Sequence, residues 1–556
     1  MHLRMRIGRG FVLLVLGWGL AALAAAPAAA QGRGGGAGRG GAAPAGQGRG
    51  GAGGAAAGGG GGGGNNPNPN APTQKAAPAQ MKEDAANMQL VGFNDLQARS
   101  SYQPTIVQQG NRWIAYVGTH GERPILNPLT GQMEENGTLV IDVTDPKQPK
   151  TIAHIPGDPG PNPGGMGDGA QMVRVCSGAT LPRADRNKTY MLRAYGGSAH
   201  ETWDVTDPAK PVRLAVVVSG LRDTHKNFWE CDTGIAYLVS GVPDWRTPRM
   251  TQIYDLSDPA HPVFIRNFGL PGQQPGSTGP VPTELHGAVS LGPTVNRVYF
   301  GYGTNGNGII EIVDRDKLLN GPKEPTDANL NYPVVARVDL PPDIGSHTAF
   351  PLLGMNLPEF AKQKPRAAAL GAEAAHGSDG PPPEPSQAKR DFIISVGETT
   401  GNECQENRQM MRIIDVTNEA RPFGVASYTV QESSGDFCSR GGRFGSHSVN
   451  ENITPFYHRR ILFLTEFNAG VRAIDIRDPL NPKEIGHYIP AVTDKTQNRC
   501  VGQGAAQTCK IAIQTNNAEV DNRGYIYIVD RANTGMHILQ LTGPARQVAN
   551  GLPPLP

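Results

Sequence analysis

From about residue 88 to residue 544 the chain alternates between short apolar runs and clusters of Asp, Thr, Asn, Gly and Pro. The runs are rich in Val, Ile, Tyr and Phe, and helical periodicity is almost absent. That pattern predicts strands throughout. Seven runs hold one position in a repeating unit: residues 113–117, 190–194, 235–239, 298–302, 392–396, 461–464 and 525–529. A second run follows most of them and ends in Asp. It reads Val140-Ile141-Asp142-Val143-Thr144-Asp145-Pro146, then Thr202-Trp203-Asp204-Val205-Thr206-Asp207-Pro208, then Ile253-Tyr254-Asp255-Leu256-Ser257-Asp258-Pro259. It returns as Ile413-Ile414-Asp415-Val416-Thr417-Asn418 and Ile474-Asp475-Ile476-Arg477-Asp478-Pro479. A degenerate copy stands at Glu311-Ile312-Val313-Asp314. A fixed unit repeated along a chain predicts a repeat architecture.

Each part of the unit has a physical role. Asp, Ser and Thr side chains bond the backbone two residues on and close the turn. The first Pro fixes φ at the corner. The second, at Pro149, Pro211, Pro262, Pro422 and Pro482, delays the next strand. The D-x-[ST]-D-P-x-x-P turn after an apolar strand resembles the LVIVD-repeat family of exported β-propellers. The resemblance runs from about Met88 to Pro544. It implies a propeller and export, and it is nearly silent on chemistry.

Seven units predict an all-β, seven-bladed propeller, within the usual range of blade counts. The last unit ends at Met536-His537-Ile538-Leu539-Gln540-Leu541-Thr542 without an outer strand. The chain carries a spare strand at Met88-Gln89-Leu90-Val91-Gly92-Phe93. The spare strand is expected to complete the last blade and close the ring, which removes exposed edges. The propeller domain is then residues 86–546, with a C-terminal tail at 547–556.

Residues 1–30 read as a signal peptide. Arg4, Arg6 and Arg9 precede an apolar stretch from Phe11, and Ala28-Ala29-Ala30 suits cleavage. Residues 31–85 are Gly, Ala, Pro and Asn with scattered Arg, too apolar-poor to fold, and read as a disordered linker. Arg33, Arg39 and Arg49 resemble RGG tracts, but a solvated tether suits an exported chain better. An insertion at about 356–390 is also expected to be a disordered surface loop. The net charge of +2 implies no nucleic-acid partner. No later segment is apolar enough to span a bilayer.

Six cysteines in an exported chain suggest disulfides. Repeat register sets Cys176 level with Cys231 on neighbouring inner strands. Cys500 and Cys509 flank one loop. Cys404 and Cys438 remain, both in loops on one face.

In a propeller, the starts of inner strands and the ends of middle strands meet at one mouth of the axial channel. Four consecutive units begin their inner strands with His at one register: His225, His286, His347 and His447. Gln103, Gln171 and Gln514 hold comparable places in the other units. Neutral imidazole is a common ligand for copper, iron and zinc. Glu398 and Glu466 end middle strands and are expected behind the ligands as acceptors. His120 is expected to join from the first blade. The ligand nitrogens of a shared tetrahedral shell are expected within roughly 3–4 Å of one another. A repeated His can equally bond a neighbouring blade and tie the ring together, and both readings stand at this point. His154, His261, His458 and His487 fall on outer strands or turns and read as surface residues. No G-x-S-x-G serine nucleophile, phosphate loop or calcium loop is present.

Three functions follow as expectations. The first is recognition of a small molecule or protein at a His-lined mouth, with a bound transition metal. The second is a copper- or iron-dependent oxidase or oxygenase at the same mouth. Four-His axial sites of carotenoid oxygenases and the His-lined copper site of methanethiol oxidase are similar in architecture. The third is a purely structural cell-surface repeat protein.

Overall fold

A computed structural model describes residues 73–74, 80–158, 169–357 and 389–553. The leader at 1–30, most of the 31–85 segment and the interior of the 356–390 insertion lie outside the described residues. The insertion leaves its blade at Asn356 and returns at Lys389, and these two residues pair.

Seven antiparallel sheets of four strands form the propeller. Blade 1 runs Ser101–Gln109, Arg112–Thr119, Thr138–Asp142 and Lys150–Ile155. Blades 2 to 5 repeat this order over residues 173–218, 227–268, 285–339 and 348–428. Blade 6 differs. Its inner strand is reduced to a bridge between Val449 and Leu464. Ile461–Thr465, Val471–Asp475 and Lys483–Ile489 follow. Blade 7 has Thr515–Val520, Ile526–Asp530 and Met536–Leu541.

The repeated turn forms as its side chains dictate. Asp142 Oδ1 accepts from the Thr144 amide at 3.0 Å, and Asp145 Oδ1 accepts from Lys147 at 3.0 Å. The same pair of bonds recurs at Asp204/Asp207, Asp255/Asp258, Asp415/Asn418 and Asp475/Asp478. Each outer strand begins directly after the second Pro. The Thr of the unit has a further role. Thr144, Thr206 and Thr417 accept from the amides of Trp113, Thr189 and Asp391, which fixes the start of the middle strand. The degenerate copy departs from the turn: Asp314 instead caps the helix Arg315–Asn320 by accepting from Lys317 at 3.0 Å.

Met88–Asn94 pairs antiparallel with Met536–Leu541, so the N-terminal strand closes the ring as expected. Described strands begin earlier than residue 86, however, with Thr73–Gln74 paired to Cys509 and Lys510. Asp84–Ala86 adds a strand to the outside of blade 6, and buried Gln80 donates to the Arg440 carbonyl at 3.0 Å. Blade 6, having lost most of its inner strand, gains an outer one. The tail is not loose either. Gly543–Val548 is a short helix, and Val548, Ala549 and Leu552 pack against the core between blades 6 and 7.

Seven apolar clusters fill the seven seams between neighbouring blades. The seam of blades 7 and 1 holds Ile106, Val117 and Leu139 against Tyr527, Val529 and Ile538. At about 1.5–3 kcal/mol per buried aliphatic side chain, each seam outweighs any single polar contact at the mouth. Three disulfides add cross-links with the expected pairing. Cys176–Cys231 joins blades 2 and 3, Cys404–Cys438 joins two mouth loops, and Cys500–Cys509 closes a hairpin. Among the described residues no helix is long and apolar enough to cross a membrane.

Candidate metal centre

The mouth residues owe their aim to β-bulges. His225 donates its amide to Val239 O at 3.0 Å, while Lys226 O accepts from the Val239 amide at 3.1 Å. Two residues thus face one. His447 and Ser448 repeat the arrangement against Thr465, at 3.0 and 2.9 Å. The register also slips at His286, between Leu285 and Gly287, and at Asn516, between Thr515 and Asn517. A bulge breaks the in–out alternation and re-aims a side chain. Close approach of blades completes the placement. A Cβ at Gly301 would lie 2.5 Å from the carbonyl of Ser346, the residue before His347, so only glycine fits there.

The four histidines come together in blade order. His225 Nε2 lies 2.8 Å from His286 Nε2. The His286 and His347 ring centroids are 3.5 Å apart, and those of His347 and His447 are 4.5 Å apart. All four are buried, none more than 5% exposed. Donor atoms of His286, His347 and Glu398 all lie within 4.8 Å of one another. That shell is wider than the expected spacing, while the His225–His286 contact is tighter.

Two rings are oriented with one nitrogen left bare. His447 Nδ1 is 2.7 Å from the Asn516 carbonyl, to which it donates, and its Nε2 has no hydrogen-bond partner. His347 Nδ1 contacts Thr348 Oγ1 at 3.1 Å, and its Nε2 is likewise unpartnered. A fixed Nδ1 with a free Nε2 lone pair is the arrangement that a metal ligand requires. His225 and His286 face each other through Nε2 and leave Nδ1 without a partner.

Burial disfavours the imidazolium, so His225, His286 and His347 titrate well below the usual imidazole range. His447 is lowered to about 4 by the same burial, against the pull of Glu398. The rings are therefore neutral at ordinary pH, the state that binds metals.

Glu398 stands closer than expected. Its oxygens lie 3.6 Å from His347 Nε2 and 3.9 Å from His447 Nε2, on the side where the bare nitrogens are. It is a candidate ligand rather than a supporting acceptor. Arg443 and Arg531 hold it through Nη1 contacts at 2.7 and 3.0 Å. Burial raises its pKa, but the charges of Arg443 and Arg531 hold it below the usual value and keep it ionised.

Glu466 does not join this group. The chain turns tightly after Thr465, with Phe467 at φ +47°. The Phe467 ring, not Glu466, packs on His447, with centroids 5.1 Å apart. Both carboxyl oxygens of Glu466 are buried without a hydrogen-bond partner, and burial pushes its pKa up to about 8. His120 stands behind Tyr102. Its Nδ1 is 3.3 Å from Ser100 Oγ, and its ring meets Tyr102 edge-on at 5.3 Å.

Gln103 and Gln514 are displaced from the expected register by the bulges at the starts of their strands. Tyr102 and Asn516 take the mouth positions instead. Tyr102 OH lies 3.3 Å from His225 Nε2. Gln171 is buried just before the inner strand of blade 2. His154 is no surface residue. The hairpin of Ile125–Asn127 and Gln132–Glu134 supplies Glu134, whose Oε2 lies 2.6 Å from His154 Nδ1, and burial lowers the ring to about 4. His458 is partly buried, His261 contacts Asp258, and His487 lies between Glu484 and Asp84.

A roof lies over the mouth. The hairpin of Asn498–Val501 and Thr508–Ile511 is tied to blade 7 by Arg499 Nη2 donating to Arg531 O at 2.8 Å. Asn402 donates to Cys500 O at 2.9 Å, and Lys510 meets Glu403 at 3.0 Å. Compared with known proteins, the chain matches no protein-family model and no curated sequence.

Proposed function

We propose that this is an exported, LVIVD-type propeller whose mouth holds a transition metal on His225, His286, His347 and His447, with Glu398 as a fifth candidate ligand. The metal serves to recognise a small molecule. The observation that carries this reading is the pair of unpartnered, buried Nε2 atoms on His347 and His447, each with Nδ1 engaged. Buried polar atoms without partners are rare and call for an explanation. The competing role for the histidines, tying blades together, is largely filled by their neighbours. Thr224 Oγ1 donates to Gly196 O at 2.5 Å, and Ser446 Oγ donates to Gly397 O at 2.8 Å, each across a seam. His447 adds a tie through Nδ1 to blade 7, and His225 adds contacts through Nε2 to His286 and Tyr102, but the Nε2 atoms of His347 and His447 tie nothing. Three disulfides fit an oxidising compartment and support export.

An imidazole-rich set with one carboxylate suits copper, iron or zinc. Such a metal would supply Lewis-acid or redox chemistry. A second reading, a copper or iron oxidase or oxygenase, draws on the half-ring. Blades 3 to 6 supply nitrogens, while blades 7 and 1 place Asn516 and Tyr102 against His447 and His225 and supply no further imidazole to the set.

Metal analysis of the full chain, purified with its disulfides formed, tests the reading. One equivalent of a transition metal is expected. A double variant, His286→Ala with His347→Ala, should lose the metal and keep its cooperative melting transition. A wild-type protein that takes up no metal, or a double variant that keeps it, would show that the rings are structural.

A further inference from the structure

Arg249 lies directly before the strand Met250–Asp255 of blade 3, at the mouth. Its backbone is pinned: the carbonyl accepts from Thr247 Oγ1 at 3.0 Å and from the amide of Leu285 at 3.1 Å. Leu285 is the residue before His286, so Arg249 is anchored beside the histidine half-ring. Its charge is felt at His225, His286, His347 and Tyr102, and it helps to depress all three imidazoles. Yet the partly buried guanidinium has no hydrogen-bond or ion-pair partner among the described residues.

The other cations of the mouth are engaged. Arg443 and Arg531 bind Glu398 on the His347 and His447 side. Lys226 and Arg174 bind Glu451 deeper in the channel. The His225 and His286 side thus carries an unbalanced positive charge, and a bound metal would increase it. A guanidinium fork presents parallel N–H donors that match the two oxygens of a carboxylate.

We propose that the ligand of the centre is a small carboxylate monoanion, seated between Arg249 and the ion held by the histidines. This rests on the metal reading above. A single free guanidinium suits one negative charge.

The test uses the full chain loaded with Cu(II). Azide is titrated while its charge-transfer band is followed, and formate and neutral formamide are added as competitors. Wild-type protein is expected to bind azide, with formate displacing it and formamide not. Arg249→Gln should keep its copper but weaken both anions by roughly 10- to 100-fold, the value of a charge-assisted hydrogen-bonded contact. Arg249→Lys should recover part of the loss. If Arg249→Gln holds copper and binds anions as wild type does, or if formamide competes as well as formate, the anion proposal is wrong and the metal centre stands. If Arg249→Gln loses copper while still folded, Arg249 supports the metal site and the proposal also fails. If wild-type protein takes up no copper, both readings fall together.

Discussion

Blades 3 to 6 and blades 7 and 1 use the same mouth position in opposite ways. In the first group the position is His, and the neighbouring Ser or Thr ties the blades, as Thr224 and Ser446 do. The imidazoles are left with bare nitrogens. In the second group the mouth residues and their neighbours are themselves the ties. Asn516 Nδ2 donates to Tyr102 O at 3.1 Å, Gln103 Nε2 donates to Glu519 Oε1 at 2.7 Å, and Ser100 Oγ donates to Arg531 O at 2.8 Å. All three cross the closure seam, between blade 1 and blade 7, the blade in which the two ends of the chain pair. The two ends of the chain are joined by hydrogen bonds alone inside blade 7, where Met88–Asn94 pairs with Met536–Leu541, and these polar ties hold that blade against blade 1. The seams among blades 3 to 6 instead leave imidazole nitrogens unpaired for a ligand. The difference separates a half that holds the ring shut from a half that is free to do chemistry.

The largest test of this division is deletion of residues 88–94, the strand that completes blade 7. It removes the outer strand of the blade in which the two ends of the chain pair. Loss of the cooperative thermal transition is expected, measured by calorimetry. Deletion of residues 31–79 should leave the transition in place. If both deletions melted alike, closure would not rest on this strand.

Next in size is a contrast between two carboxyls at matching mouth positions. Glu398 is held ionised by Arg443 and Arg531, whereas Glu466 is buried alone and pushed up to about 8. As pH rises above the ordinary carboxyl value, the unfolded chain releases the Glu466 proton and the folded protein retains it until about pH 8. The folded state therefore binds more protons over that window, and stability falls as pH rises through it. Below the window there is no penalty. Glu466→Gln should then be neutral at pH 4 and stabilise by roughly 3–5 kcal/mol at pH 9. Glu398→Gln should show no such gain. Chemical denaturation at the two pH values decides it. An equal effect at both would mean that Glu466 has a partner in solution.

Much of the fold is legible because its signals are local. The Asp and Pro of each turn act within four residues, and the missing outer strand after Leu541 points to Met88. The three disulfide pairs follow from repeat register and spacing. The mouth is legible to one residue at best. Counting along strands finds His225, His286, His347 and His447, three of which are displaced alike by bulges. It misplaces Gln103 and Gln514, because a bulge adds a residue that sequence alternation does not reveal. Glu466 fails for a related reason: the left-handed turn at Phe467 exchanges which side chain meets His447. Arg249, Arg443 and Arg531 lie on loops with no periodic signal at all. Asp84–Ala86 escaped because blade 6 lacks an inner strand, and only the folded sheet shows the compensation.

A smaller pair of effects separates the halves directly. Gln103→Leu removes a buried donor from the closure seam and should cost about 1–3 kcal/mol. Its metal content should equal that of wild type. His347→Ala should do the reverse and lose metal, with the metal-free protein still folding cooperatively. Urea denaturation and metal analysis on both variants make the comparison. If Gln103→Leu also lost metal, the closure seam would be part of the centre.

The smallest effect is expected at the boundary between the halves. Tyr102 belongs to blade 1 and its carbonyl serves the closure seam, yet its hydroxyl reaches His225 Nε2 at 3.3 Å. Burial raises its pKa above the usual phenol range, and the Glu398 charge adds to this, so the hydroxyl stays protonated. A protonated hydroxyl donates to an imidazole lone pair, and it therefore competes with a metal for that nitrogen. Tyr102→Phe keeps the ring, the backbone carbonyl and the packing, and removes only this competition. The cost in stability should be at most about 1 kcal/mol, the net worth of one hydrogen bond. Metal affinity, measured by competition with a chelator, should hold or rise. A fall in metal affinity would instead make Tyr102 a ligand. The boundary between the working half and the closing half would then run through blade 1, not between blades 1 and 3.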